Sequence, residues 1–144
     1  MEHFSTRDLV VEVVHKLFVY TDNRQWGRLL AEVFCGEVQF DMSSLGGAAR
    51  RMAAKDICHE WELGFEGLDA INHLCGNHLV SINGPEATVF AYATATHYKK
   101  SATRGNTREF VGTYDLHLVR TAVGWRIDGF THHLKYMTGN IDFK

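Results

Sequence analysis

The chain has a single proline, Pro85, and only three cysteines, Cys35, Cys58 and Cys75, none of them in a C-x-x-C pair. An odd cysteine count at this length argues against a disulfide framework and for a reducing compartment. Nor does charge of one sign accumulate: the formal net charge of −2 argues against nucleic acid and anionic membrane surfaces as partners. No apolar run approaches the roughly 18 residues needed to span a bilayer, and "MEHFSTRDL" lacks the basic and apolar regions of a signal peptide. These absences together predict a cytoplasmic protein with no membrane partner. No glycine-rich loop leads from a strand into a helix, so no nucleotide cofactor is expected. The pair His132-His133 has no further ligand at a convincing spacing, and neighbouring strand residues face opposite ways, so no metal is expected either.

What is present is an ordinary globular composition, 45% hydrophobic and 22% charged over 144 residues. That length predicts one domain spanning 1–144, able to bury about two-thirds of its unfolded surface. Ser5 and Asp8 form an N-cap and N3 pair, and Val10, Val13, Val14 and Leu17 follow at helical spacing, predicting a first helix to about Tyr20. A second helix is predicted from about Asn23 to Val33, a short strand over Glu37 to Met42, and a third helix around Ile57, Trp61 and Phe65. "SSLGGAARRM" reads as a loop. The remainder alternates like strands: "INHLCGNHLVSI" and "EATVFAYATATHY" flank Asn83-Gly84-Pro85, where the Asn-Gly pair signals a hairpin and proline's missing N–H does no harm. "REFVGTYDLHLVR" and "GWRIDGFTHHLKY" complete a four-strand antiparallel meander. Helices followed by such strands predict an α+β domain with helices packed on one sheet face.

Two residues focus the functional question. Asp22 precedes the second predicted helix, and with Gln25 it fits a capping box. Its carboxylate can also orient a histidine, and Asp22 is expected to do both. His73, early in the first long strand, is the candidate partner, although any of nine histidines can be a satisfied core or surface residue. A carboxylate accepting from one imidazole nitrogen fixes the tautomer and leaves the other nitrogen as a base near neutrality. Trp61, Phe65, Phe90, Phe110 and Trp125 read as core or pocket wall. Cys75, on the face of His73, reads as a buried apolar thiol.

The order of elements, with "YTDNRQWGRLLAEVF", "NHLCGNHLVSING" and "GTYDLHLVRTAVGWRI", resembles the SnoaL-like family of the nuclear transport factor 2-like superfamily, in its scytalone dehydratase and dehydrochlorinase-like branch, over about residues 5 to 135. The resemblance implies a curved antiparallel β-sheet wrapped around N-terminal helices, forming a cone with a central pocket, the cystatin-like α+β barrel. It implies a cofactor-independent lyase or isomerase acting on a small apolar cyclic molecule. Asp22 and His73 match the positions of that branch's catalytic dyad, in which the histidine takes a proton from carbon. Implied substrate contacts are His97 as a donor or auxiliary acid, Thr113 and Asp115 two apart on one strand face, Tyr20 beside the dyad, and Met42 and Trp61 in the pocket. The branch's two tyrosines correspond here to Thr21 and Met42, and a late-strand arginine to Phe130, so neither known substrate transfers. A non-catalytic ligand-binding or subunit-assembly module is the alternative, as is a scaffold with a vestigial dyad. The family also implies a homodimer or homotrimer.

Overall fold

The computed structural model describes residues 3–144. Helix α1, Thr6–Asp22, starts at the predicted capping box: the Ser5 hydroxyl accepts from the Asp8 N–H, and the Asp8 carboxylate accepts from the Ser5 N–H. It buries Val10, Val13, Val14, Leu17, Phe18 and Thr21. Helix α2 is only Trp26–Glu32 and its N-cap is Gln25, whose side chain makes no capping bond. Asp22 is thus the last residue of α1 rather than the cap of α2, because the first helix runs two residues past its predicted end. The link between them turns back through Arg24 at φ +55.

Strand β1 (Phe34–Asp41) is followed by a 3-10 turn over Ser43–Leu45, strand β2 (Ala49–Ala53) and helix α3 (Ala54–Gly64). The glycine-containing stretch read as a loop therefore contains a strand, paired with β1 from Glu37↔Ala53 to Asp41↔Ala49. Strands β3 (Ala70–Asn83), β4 (Glu86–Tyr98), β5 (Thr107–Thr121) and β6 (Gly124–Gly139) form the predicted antiparallel meander. Six strands lie in the order β2-β1-β6-β5-β4-β3. The pairing of β1 with β6 is parallel, so the curved sheet is mixed at that one junction. In the β3–β4 hairpin Asn83 still pairs with Glu86, leaving Gly84-Pro85 as the loop. Gly84 takes φ +58, the positive value that the first loop position of a type II′ turn requires.

No helix among the described residues is long and apolar enough to cross a membrane. The core fills the space between the helices and the inner face of the sheet. That face is set by alternation: Val89, Ala91, Ala93 and Ala95 on β4, and Tyr114, Leu116 and Leu118 on β5, are all buried. Three successive inward alanines, with Gly112 beside Ala93 in register, leave the middle of the sheet almost without side chains. Larger rings from other elements occupy part of that space, and the remainder is a cavity.

At Gly112 itself the adjoining strand β6 approaches closely. A Cβ at this position would lie 2.4 Å from the His133 carbonyl oxygen and 2.9 Å from His132 Nε2. Gly112→Ala is therefore expected to cost about 1–3 kcal/mol by overpacking, seen as a lower urea midpoint. Gly36→Ala, whose Cβ would meet nothing within 4 Å, should stay within about 0.5 kcal/mol of wild type.

Candidate active site

The carboxylate of Asp22 binds His73 twice. His73 Nδ1 lies 2.5 Å from Asp22 Oδ1, and the His73 backbone N–H donates to Oδ2 at 2.9 Å. An ionised carboxylate only accepts, so the ring carries its proton on Nδ1 and Nε2 is left free. The backbone bond has its own cause. β3 is an edge strand, so N–H groups on its outer side have no strand partner, and Asp22 supplies the acceptor that this partly buried one needs. An acid at the C-terminal end of a helix opposes the helix dipole. Local preference alone does not account for Asp22 there, and the two bonds to His73 do.

Both side chains are mostly buried, with 10% of His73 and 16% of Asp22 exposed. His73 opens onto a cavity of about 150 Å³ whose other walls include Leu17, Phe18, Thr21, Met42, Leu45 and Trp61. Phe65, Ala95, His97, Phe110, Tyr114, Phe130 and His132 complete it. A continuous run of rings joins His73 to the far wall. Phe18 lies 5.3 Å from His73 and 5.1 Å from Tyr114, Tyr114 lies 5.4 Å from Phe130, and Phe130 lies 5.7 Å from Trp61.

The polar members of this wall are held uncharged. Burial, reinforced by Arg108 and His73, pushes the His97 pKa down to about 4. Burial also lowers His132 to about 4, with His133 and His73 adding to the effect. The Tyr114 phenol is pushed up by burial first, then by Cys75 and Asp22. The Ser44 hydroxyl donates to the His132 carbonyl at 2.9 Å, and its oxygen lies 2.7 Å from His132 Nδ1. With its one proton used on the carbonyl, Ser44 accepts from Nδ1–H, leaving His132 Nε2 as an acceptor. The Cys75 thiol, raised by burial to about 11, stays protonated at neutral pH; it is half-buried and its sulfur lies 3.2 Å from His78 Nε2, so it is not the purely apolar group expected.

Of the residues anticipated from sequence, Asp22, His73, His97, Met42 and Trp61 converge here. Tyr20 does not. Its hydroxyl donates to Glu32 at 3.2 Å and Arg28 lies 4.4 Å over its ring, because the roughly 100° step per helical residue turns it toward α2 while Phe18 and Thr21 face the cavity. Thr113 and Asp115 do share a face, as anticipated, but it is the outer one. Asp115 is exposed and accepts from His133 Nε2 at 2.9 Å. The inner face of β5 belongs to Gly112, Tyr114 and Leu116, whose apolar alternation in "GTYDLHLV" was the available signal. Tyr114 and His132 were the functional candidates missed. His132 and His133 do point to opposite faces, one bound to Ser44 and the other to Asp115.

The sequence profile of the SnoaL-like domain matches residues 2–131. The chain belongs to the SnoaL-like family. Among solved structures, a Kribbella flavida protein is 24% identical with a TM-score of 0.88, over 96% of this chain and 95% of that one. A Novosphingobium aromaticivorans protein provisionally named a scytalone dehydratase is 17% identical with a TM-score of 0.73, over 92% and 85%. A hexachlorocyclohexane dehydrochlorinase of Novosphingobium barchaimii is 11% identical with a TM-score of 0.76, over 94% and 90%. These likenesses establish for this SnoaL-like chain the nuclear transport factor 2-like cone fold. No curated protein matches it.

Two neutral buried histidines link stability to pH. Each has a pKa near 4 when folded against 6.5 when free, so the unfolded chain binds more protons between those values, and stability falls as pH drops from about 6.5 toward 4. The urea midpoint should decline over that window. In His132→Gln, where one of the two histidines is gone, the decline should be shallower between pH 6.5 and 5; an unchanged slope would contradict the assignment.

Proposed function

We propose that this SnoaL-like protein is a cofactor-independent lyase, dehydratase-like in its elimination chemistry, acting on a small apolar cyclic molecule. The observation that carries the reading is the Asp22 carboxylate bound twice to His73 at the wall of an apolar cavity. His73 Nε2 takes a proton from carbon, the C–H electron pair forms the new double bond, and the leaving group departs with its own pair. Asp22 orients the ring and stabilises the imidazolium that results. His97 and Tyr114, both uncharged at neutral pH, stabilise developing negative charge on a substrate oxygen by hydrogen bonding rather than by giving up a proton. Dehydratase and dehydrochlorinase names among proteins of the same fold support the class of reaction.

The size and lining of the cavity narrow the substrate. An apolar space of about 150 Å³ takes a benzene-sized molecule, which favours a single six-membered ring. A histidine base removes only an acidified C–H, so the ring carries a carbonyl, or a halide as leaving group, next to the reacting carbon. The opposite face of the sheet, where Leu74 and Leu79 are exposed, supports self-association as a homodimer or homotrimer.

A turnover and binding screen of six-membered rings that carry either a hydroxyl β to a ring carbonyl or halogens tests the proposal. Wild type should form an alkene product, and His73→Ala should lose at least about a thousandfold in kcat/KM. In Asp22→Asn the amide oxygen can still accept from the His73 N–H while the NH₂ group faces Nδ1. The wrong tautomer is then imposed with little loss of stability, and kcat should fall by about 10³–10⁴. Tight binding without turnover, unchanged in His73→Ala, would instead identify a ligand-binding module.

A further inference from the structure

Arg108 stands opposite His97 in the β4–β5 register, so both side chains lie on the inner face of the sheet. Its Nε–H donates to His97 Nδ1 at 3.1 Å, and Nη1 donates to the Ile141 carbonyl at 2.7 Å. The guanidinium carbon is 4.4 Å from the Phe143 ring centre and 5.4 Å from that of Phe110. The Ile141 carbonyl and the Phe143 ring come from the segment after β6. Gly139, at φ +91, turns the chain where a Cβ would lie 2.5 Å from the Thr107 carbonyl oxygen. Phe143 then returns to a buried cluster with Leu68 and Ile71.

A guanidinium has donors and no acceptor, and it stays protonated in a protein. His97 Nδ1 must therefore be the bare nitrogen, and the neutral ring carries its proton on Nε2. His97 is wedged between Phe65, edge-on at 5.7 Å, and Phe110 at 5.1 Å, which fixes its plane as well.

We propose that Arg108 is a positioning residue: by donating to Nδ1 of His97 it locks that ring as an Nε2–H donor toward the oxygen of a bound ring compound, from a seat built by the C-terminal segment. Its functional meaning rests on the elimination reading above, but the tautomer does not. The same wall holds His132 in the opposite state, with Nε2 bare, so the cavity offers one fixed donor and one fixed acceptor and prefers an oxygenated ring over its hydrocarbon analogue.

The test uses heteronuclear NMR of the histidine ring nitrogens in the full chain, with titrations of cyclohexanone and its oxygen-free analogue methylenecyclohexane. In wild type the His97 proton should reside on Nε2, and cyclohexanone should bind about fivefold more tightly, the worth of one net hydrogen bond. Arg108→Met should populate both tautomers and bring the preference close to one, while Arg108→Lys, which still donates, should retain both properties. A wild-type ring protonated at Nδ1, a wild type with no preference, or an Arg108→Met variant unchanged in tautomer overturns the proposal. The two wild-type measurements decide it even if Arg108→Met does not fold. Loss of the elimination reading, seen as no His73-dependent turnover, leaves the tautomer and the binding preference where they are, so the two readings fail separately.

Discussion

Both oxygens of the Asp22 carboxylate end on one residue, His73, and the arrangement of the cavity follows from that. One bond satisfies an N–H that an edge strand cannot pair, and the other fixes an imidazole ring. The first makes the carboxylate useful to the fold, and the second makes it useful to chemistry. To reach β3, α1 must end at Asp22 and lie across the sheet with Leu17, Phe18 and Thr21 facing inward. Those residues then form the near wall of the cavity that His73 opens onto.

The sheet contributes by what it omits. Ala91, Ala93, Ala95 and Gly112 leave its centre without bulk, and the space is lined by Phe18, Tyr114, Phe130 and His132 with a remainder of about 150 Å³. Such a lining desolvates every polar group in it. His97 and His132 stay neutral, with pKa values near 4. His73 at one end is paired with a carboxylate and His97 at the other end with a guanidinium, while His132 and Tyr114 between them are uncharged. In a medium of low polarity this asymmetry persists without screening by water. It suits a reaction in which negative charge moves from a carbon near His73 toward an oxygen near His97.

Much of this was legible in the sequence, and the failures have specific physical origins. The capping box at Ser5, the hairpin at Asn83-Gly84 and the long alternating runs marked α1 and the four-strand meander because each rests on local geometry. The parallel pairing of β1 with β6 has no local signature, since it joins segments far apart in the chain. β2 hid behind Gly46 and Gly47, which read as loop. Asp22 with Gln25 looked like a capping box because spacing cannot tell which way a carboxylate turns, and in the fold it turns to β3. Thr113 and Asp115 follow from positional correspondence with the family's scytalone dehydratase branch, whereas the apolar alternate, Tyr114 with Leu116 and Leu118, marks the inner face. Arg108 gave no signal at all. Its role depends on a register with His97 and on a tail that returns through Gly139, and both appear only in three dimensions.

The central claim is that the carboxylate-held imidazole removes a proton from carbon inside the apolar cavity. Proton NMR of six-membered ring ketones in D₂O tests this most directly, since exchange at the carbon next to the carbonyl needs a base and no leaving group. The account predicts that wild-type protein accelerates loss of that C–H signal well beyond buffer and that His73→Ala does not. Ketones that bind the cavity yet exchange at the same rate with either protein would contradict it.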